Sequence, residues 1–308
     1  MGHGHGHGHA AGRAADRRRL RRVLAVTVTV MVVEVVGAVV TGSLALLADA
    51  AHMATDAGAV VLALGASYVA SLPAGRRSTF GYHRAEVLAA LVNALVLLGV
   101  CGYLGWAGIS RLGDPPDVDA LPMVLFASVG LLANGVSMVL LHRGREGEAS
   151  LNLRGAANEV FADLLGSVLA VLAGLVVLAT GWHGADPVAS LVIAVMILPR
   201  ALVLMRDAAV VLLEIAPNGL DLDDVVHHLR HVDGVVDVHD LHAWTITSGI
   251  PSLSAHVTVT DEALAARGVG AILDELCACV AAHFDVEHAT FQVEPRSHEA
   301  HENLGELH

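Results

Sequence analysis

The sequence is poor in charged residues and in cysteine. Only 16% of its 308 residues are Asp, Glu, Lys or Arg, whereas 55% are hydrophobic. This balance excludes an ordinary soluble protein and indicates an integral membrane protein. The three cysteines, Cys101, Cys277 and Cys279, are too few for a disulfide framework, which fits a soluble part that faces the cytoplasm.

The charge distribution gives no sign of a nucleic-acid partner. The formal net charge is −13, but the acidic residues are concentrated after residue 213, while the arginines cluster beside the hydrophobic segments. Residues 13–22 hold six of these arginines, and the apolar stretch that follows has no convincing small-residue cleavage site. These arginines therefore predict a cytoplasmic anchor for a first membrane span and not a cleavable signal peptide.

Glycine and histidine alternate through most of residues 1–9. Such a low-complexity segment cannot build a hydrophobic core, so residues 1–20 are predicted to form a disordered cytoplasmic arm. Its imidazoles would collect metal ions weakly. An expression tag is the alternative interpretation, although the alternating pattern differs from the unbroken histidine run of common tags.

Six apolar segments, each long enough to cross the hydrocarbon core of a bilayer, follow this arm. They lie at about 23–41, 44–70, 85–111, 120–141, 155–180 and 186–205. Arginines lie in the connections after the second and fourth segments, whereas the opposite side has only Arg111. The positive-inside rule therefore places both termini in the cytoplasm and predicts a six-helix domain at 21–214 that crosses the cell membrane.

Ionisable residues inside two of these segments indicate a metal site. His52 and Asp56 lie four residues apart in the second segment, and Glu159 and Asp163 repeat that spacing in the fifth. Positions four apart share one face of a helix, and an Asp at mid-membrane costs about 2.5–3.5 kcal/mol, which implies a function. The two pairs predict a cage of one nitrogen and three carboxylates. For one pair alone, a hydrogen bond that holds two helices together is the alternative.

Other polar residues within the apolar segments are expected to play supporting roles. Asp49 lies one turn before the first ligand pair and is expected to assist it. Glu34 is expected to support the ligands or to belong to a proton path. Asn134 is interpreted as a helix-packing contact, and Arg200 is expected to snorkel toward the cytoplasmic surface.

After residue 214 the sequence changes to the pattern of a soluble domain. Helices and strands are predicted in the order αββαβ, at 221–231, 235–246, 252–260, 263–284 and 288–293. Residues 215–308 are therefore predicted to form a small cytoplasmic α+β domain of the ferredoxin-like type. His256, His288 and Glu294 share the face of the strands that points away from the core, with His239 nearby. This pattern favours a second metal cluster, with ordinary solvent-facing side chains as the alternative.

Several parts of the sequence resemble the cation diffusion facilitators, a family of proton-coupled exporters of zinc and related divalent cations. These parts lie at 42–56, 80–91, 159–167, 238–244 and 288–294. The resemblance covers nearly all of the chain after residue 20. It implies a homodimer of six-helix protomers in the lipid bilayer, a transport site between the second and fifth spans, and a cytoplasmic domain that dimerises and binds additional metal.

The resemblance also implies roles for individual residues. The implied transport ligands are His52, Asp56, Glu159 and Asp163, the cytoplasmic ligands are His239, His256 and Glu294, and a weaker site has His83 and His288. The commonest zinc pattern of the family has His where Glu159 stands, so the preference is expected to move from zinc toward harder ions such as cobalt or manganese. The His-rich loop that many relatives carry after the fourth span is absent, and the N-terminal arm is expected to replace it.

The predicted function is a proton-coupled antiporter that exports divalent cations from the cytoplasm, zinc first and cobalt, cadmium, nickel or manganese next. The metal is then a substrate and a structural or regulatory ion, and neither a cofactor nor an enzymatic activity is expected. A membrane metallohydrolase is one alternative, because a bound metal with an open position activates water, but the sequence shows no separate general base. A membrane-anchored metal sensor or store is another, and it leaves the intramembrane carboxylates without a purpose.

Overall fold

The computed structural model describes the backbone of residues 6–142, 151–247, 249–284, 286 and 288–301. The helices are α1 (Gly6–Thr41), α2 (Leu44–Ala70), α3 (Arg84–Gly113), α4 (Ala120–His142), α5 (Leu151–Thr180), α6 (Ala185–Leu212), α7 (Leu222–Arg230) and α8 (Asp261–Phe284). The strands are β1 (Val235–Thr247), β2 (Ile250–Val259) and β3 (His288–Pro295), and a 3₁₀ turn follows at Arg296–His301. The described residues form two compact units. The first unit lies within 1–62 and 92–203, and the second within 63–91 and 204–308.

Helices α1 to α6 are each long and apolar enough to cross a membrane. Their outer surfaces carry large aliphatic side chains, such as Val39, Leu64 and Leu132, that are mostly exposed within the chain. Apolar surface on this scale is stable in lipid and not in water. The prediction of six spans is confirmed, and the protein is a multi-pass membrane protein.

The N-terminal segment differs from the expectation of disorder. Helix α1 begins at Gly6, so the backbone of residues 6–20 continues the first membrane span. Alanine and arginine, which both favour helix, make up most of residues 10–22. Helix growth from an existing span also avoids the cost of a new nucleus. The structure does not describe residues 1–5 or the side chains of residues 6–21. The predicted collection of metal by the histidines of this arm therefore lies outside the described residues.

A carboxylate from another helix caps the start of α2. Asp186, in the first turn of α6, accepts a hydrogen bond from the Ser43 hydroxyl at 2.5 Å. It also accepts from the backbone amides of Leu44 at 2.7 Å and Ala45 at 3.0 Å. The first amides of a helix have no partner within that helix, and its N-terminus favours negative charge. The cap therefore fixes the depth at which α2 presents His52, two turns further on.

In the second unit, α7 and α8 pack against a three-stranded sheet. Strand β1 pairs antiparallel with β2, and β2 pairs parallel with β3. Helix α8 lies between β2 and β3 in the chain and supplies the crossover that a parallel pair requires. The core contains buried aliphatic side chains of both helices and of the sheet, among them Leu229, Val257 and Ile272. The predicted αββαβ order is confirmed, and β2 begins at Ile250 where the sequence predicts 252.

Asp186→Ala removes the three hydrogen bonds that cap α2. The change is expected to lower the free energy of unfolding by roughly 1–3 kcal/mol, because buried donors lose their acceptor. Thermal unfolding of the purified protein in detergent measures this loss. Asp207→Ala removes a carboxylate from an exposed position of the same helix and is the matched control. Equal unfolding midpoints for the two variants would contradict the capping role.

Candidate metal sites

Three predicted ligands converge between α2 and α5. On α2, His52 Nε2 lies 3.6 Å from Asp56 Oδ2, because residues four apart share one helix face. From α5, Asp163 Oδ1 lies 4.0 Å from the same imidazole nitrogen. His52 and Asp163 are each 4% exposed. Two helices therefore aim one imidazole and two carboxylates at a buried point.

Two polar atoms of this cluster have no hydrogen bond. His52 Nδ1 and Asp163 Oδ1 are buried without a hydrogen-bond partner among the described residues. An unpaired buried polar atom costs free energy. An ion between Asp163 and His52 Nε2 would give Asp163 Oδ1 a partner, whereas His52 Nδ1 lies on the other side of the imidazole ring. Imidazole nitrogen and carboxylate oxygen are both good ligands for divalent transition metals. The donor set and its burial therefore fit a divalent cation.

Glu159 does not join the other three predicted ligands in a closed cage. Its side chain is 51% exposed, and its Oε1 accepts a hydrogen bond from Arg200 Nη2 at 3.0 Å. The same guanidinium donates from Nη1 to Asp56 Oδ2 at 3.2 Å. A guanidinium can satisfy two carboxylates at once through its planar fork. The structure therefore brings three of the four predicted ligands together and holds the fourth carboxylate on Arg200.

The contacts of Arg200 differ from the prediction, which is a snorkelling side chain alone. The side chain is 44% exposed, yet its guanidinium donates hydrogen bonds to Asp56 and Glu159. One sequence signal could have indicated this pairing. An arginine inside an apolar helix usually pairs with another polar group, and the second and fifth spans carry the carboxylates that it could reach.

A buried polar network links α2 and α5, which carry the cluster, to α4. Asp49 Oδ2 accepts a hydrogen bond from Ser167 Oγ at 3.2 Å, and Asn134 Nδ2 donates to the same hydroxyl at 3.3 Å. Glu34 of α1 is also fully buried. A Cβ atom on Gly166 would overlap the Asp49 carboxylate, so this glycine allows the close approach of α2 and α5. The placement agrees with the supporting role expected of Asp49.

A second cluster lies on the sheet of the second unit. His239 of β1 pairs directly with His256 of β2, and Glu294 comes from β3. His256 Nδ1 lies 3.3 Å from Glu294 Oε1, and His239 Nε2 lies 4.0 Å from Glu294 Oε2. One ligand atom of each residue lies within 4.8 Å of the others. The structure therefore brings together the three predicted cytoplasmic ligands, in a donor set that suits zinc.

Asp240 also contacts this cluster, although it was not among the predicted ligands. Its Oδ2 lies 3.6 Å from His256 Nε2, and its Oδ1 lies 3.0 Å from His242 Nε2. The β1–β2 pairing is irregular between His239 and His242, and Asp240 has a φ of 49°, which is uncommon outside glycine. A bulge of this kind redirects a side chain, so strict alternation along β1 could not predict the contact.

His83 and His288 line one cavity of about 620 Å³ in the second unit. Phe80 lines the same cavity, and its ring meets that of His288 edge-on with 5.9 Å between the centroids. His288 precedes Glu294 by six residues on β3, so it lies well apart from the cluster at Glu294. The two residues of the predicted weaker site therefore share a cavity of their own.

Two family models match consecutive parts of the chain. The cation efflux transmembrane domain matches residues 20–213, and the cytoplasmic domain of cation efflux proteins matches residues 217–296. The chain belongs to the cation diffusion facilitator family. Its six apolar helices, followed by a small domain of helices and three strands, have the architecture of this family.

Bacterial relatives match along most of their length. The metal cation efflux system protein CzcD of Cupriavidus metallidurans is 42% identical over 263 residues, which cover 85% of this chain and 82% of the relative. The zinc transporter ZitB of Escherichia coli is 40% identical over 264 residues, with 85% and 82% covered. The cadmium, cobalt and zinc/H(+)-K(+) antiporter of Bacillus subtilis is 34% identical over 275 residues, with 88% and 86% covered.

Membership of the cation diffusion facilitators establishes the class of function. The family consists of transporters, so the protein exports divalent metal cations and is not an enzyme. The metallohydrolase alternative is therefore wrong. The buried cluster between α2 and α5 lies within the part of the chain that matches the transmembrane domain.

Zinc is expected to stabilise the protein through the cluster on the sheet. A ligand at about 100 times its Kd adds about 2.7 kcal/mol to the free energy of unfolding. Thermal unfolding with and without zinc measures this effect, in an Asp163→Asn background that removes a predicted transport ligand. His256→Ala should abolish the stabilisation, and His283→Ala, at an exposed position of α8, should preserve it. Zinc stabilisation that survives His256→Ala would contradict the assignment.

Proposed function

We propose that this transporter is an antiporter that exchanges a divalent cation from the cytoplasm for protons. The observation that carries the proposal is the convergence of the buried His52 and Asp163 with the partly buried Asp56 from two apolar helices. Each of these ligands must lose its proton to bind a metal, so cation and protons compete for the same atoms. Burial strengthens this competition, because a carboxylate in apolar surroundings is costly unless a cation or a proton accompanies it.

The proposed cargo is zinc, with cobalt, cadmium, nickel and manganese as further candidates. One imidazole and two carboxylates, with Glu159 as a fourth ligand, form a set of one nitrogen and three carboxylates. This set accepts zinc and also suits harder ions. The names of two relatives support this choice, since one is a zinc transporter and the other a cadmium, cobalt and zinc antiporter.

Exchange requires that the site open to one side of the membrane at a time. Helices α2 and α5 each supply ligands, so a movement of these helices about the cluster would alternate its access, as in other secondary transporters. With the site open to the cytoplasm near neutral pH, the cation displaces protons. With the site open to a more acidic exterior, protons displace the cation.

We also propose that both termini face the cytoplasm and that the protein resides in the cell membrane as a homodimer. The arginines of the connecting segments support the orientation, and the match to the cytoplasmic domain of cation efflux proteins supports the dimer. In this arrangement His239, His256 and Glu294 hold a structural or regulatory ion. His83 and His288 would form a weaker site.

Purified protein reconstituted into vesicles tests the exchange. Zinc flux is expected to follow an imposed pH gradient of either sign and to fall when an ionophore collapses that gradient. Asp163→Asn removes a charged ligand and should lower the flux by more than about tenfold. A zinc-sensitive dye inside the vesicles measures the initial rates.

Asp207→Asn, at an exposed position of α6, is the control and should keep the flux of the parent protein. Flux that ignores the gradient in size and direction would contradict proton exchange. Zinc binding without any flux in the parent protein would contradict zinc as the cargo.

A further inference from the structure

The positively charged guanidinium of Arg200 contacts two of the proposed ligands. Its Nη1 lies 3.2 Å from Asp56 Oδ2 and its Nη2 lies 3.0 Å from Glu159 Oε1. Asp56 belongs to α2, Glu159 to α5 and Arg200 to α6. One guanidinium therefore joins three membrane helices at the edge of the buried cluster.

These carboxylates cannot bind the guanidinium and a divalent cation at the same time without repulsion between the two cations. The atom Asp56 Oδ2 that contacts Arg200 is also the atom that lies 3.6 Å from His52 Nε2. A cation bound there would approach the guanidinium closely, and like charges repel strongly where water screens them poorly. The Asp56 side chain is 17% exposed and that of Arg200 is 44% exposed, so water screens this repulsion only in part. Cargo and Arg200 are therefore competitors for this oxygen.

Arginine is suited to such a competition. Its guanidinium stays charged at every pH at which proteins fold, and its planar fork holds two carboxylates at once, which an ammonium group cannot match. The contact to Glu159 Oε1 also explains why this carboxylate is not directed at His52 together with Asp163. Release of Arg200 would free both carboxylates in one step.

We propose that Arg200 is a tethered counter-cation that the cargo must displace from Asp56 and Glu159, and that it thereby sets the affinity of the transport site. The inference rests on the proposed function, because it takes these two residues as cargo ligands. A transporter must bind its ion tightly enough to load and weakly enough to release it. Arg200 lowers the affinity for cargo, and its return to the two carboxylates favours release.

The test compares zinc transport by Arg200→Gln with transport by the parent protein in vesicles. Loss of the competing cation is expected to lower KM about tenfold, which corresponds to about 1.4 kcal/mol of binding free energy. It is also expected to lower kcat, because a more tightly bound ion leaves more slowly. Initial rates of zinc flux across a range of zinc concentrations give both quantities.

Two further variants separate charge from packing. Arg200→Lys keeps the charge but not the fork, so its KM should lie between those of the parent protein and Arg200→Gln. Arg206→Gln removes an arginine from an exposed position of the same helix, and both kinetic constants should stay as in the parent protein. If Arg200→Gln fails to fold, the KM of Arg200→Lys decides the question.

A lower KM in Arg200→Gln with Arg206→Gln unchanged supports the counter-cation. An unchanged KM in Arg200→Gln, or a lower kcat together with a lower unfolding midpoint at the same KM, would overturn it and leave Arg200 a helix-packing contact. A parent protein that binds zinc and carries none would overturn the proposed function instead, so the two failures are distinguishable.

Discussion

The cost of placing carboxylates between apolar helices is the constraint on which the transmembrane part depends. An Asp at mid-membrane costs about 2.5–3.5 kcal/mol on insertion scales, yet Asp49 is 1% exposed and Asp163 is 4% exposed. A hydrogen bond from Ser167 offsets part of this cost at Asp49. Gly166 lets the Asp49 carboxylate lie against α5, where a larger side chain would overlap it. At His52 and Asp163, a divalent cation or protons would offset the remaining cost of burial.

The features predicted correctly from sequence are those with local causes. Spans of about 20 apolar residues are visible without knowledge of their neighbours, and strand periodicity gives the αββαβ order in the same way. The spacing of His52 and Asp56 also fixes a shared helix face before any packing is known. The pairing of His239 with His256 could be expected from the sequence, because both residues lie in recognisable strands of one hairpin.

The features that the sequence could not predict depend on how helices and strands are oriented relative to one another in the folded protein. An arginine inside an apolar helix indicates that a polar partner exists. The contacts of Arg200 to Asp56 and Glu159 also require that α6 pass beside both ligand-bearing helices, and no local pattern gives that direction. Asp240 reaches His256 because a bulge interrupts the strand pairing, and a one-residue irregularity reverses the expected face. The helical start at Gly6 reflects growth from the first span, which the low complexity of residues 1–9 does not show.

The most direct measurement of the central claim is cobalt absorption spectroscopy on a variant with His256→Ala and Glu294→Ala, which removes the cluster on the sheet. The geometry of bound Co²⁺ is visible in its spectrum, and a site of imidazole and carboxylate ligands in tetrahedral arrangement absorbs more strongly than an octahedral one. The account predicts a tetrahedral spectrum that Asp163→Asn abolishes. An octahedral spectrum, or a tetrahedral one that Asp163→Asn leaves unchanged, would contradict a transport site at His52, Asp56 and Asp163.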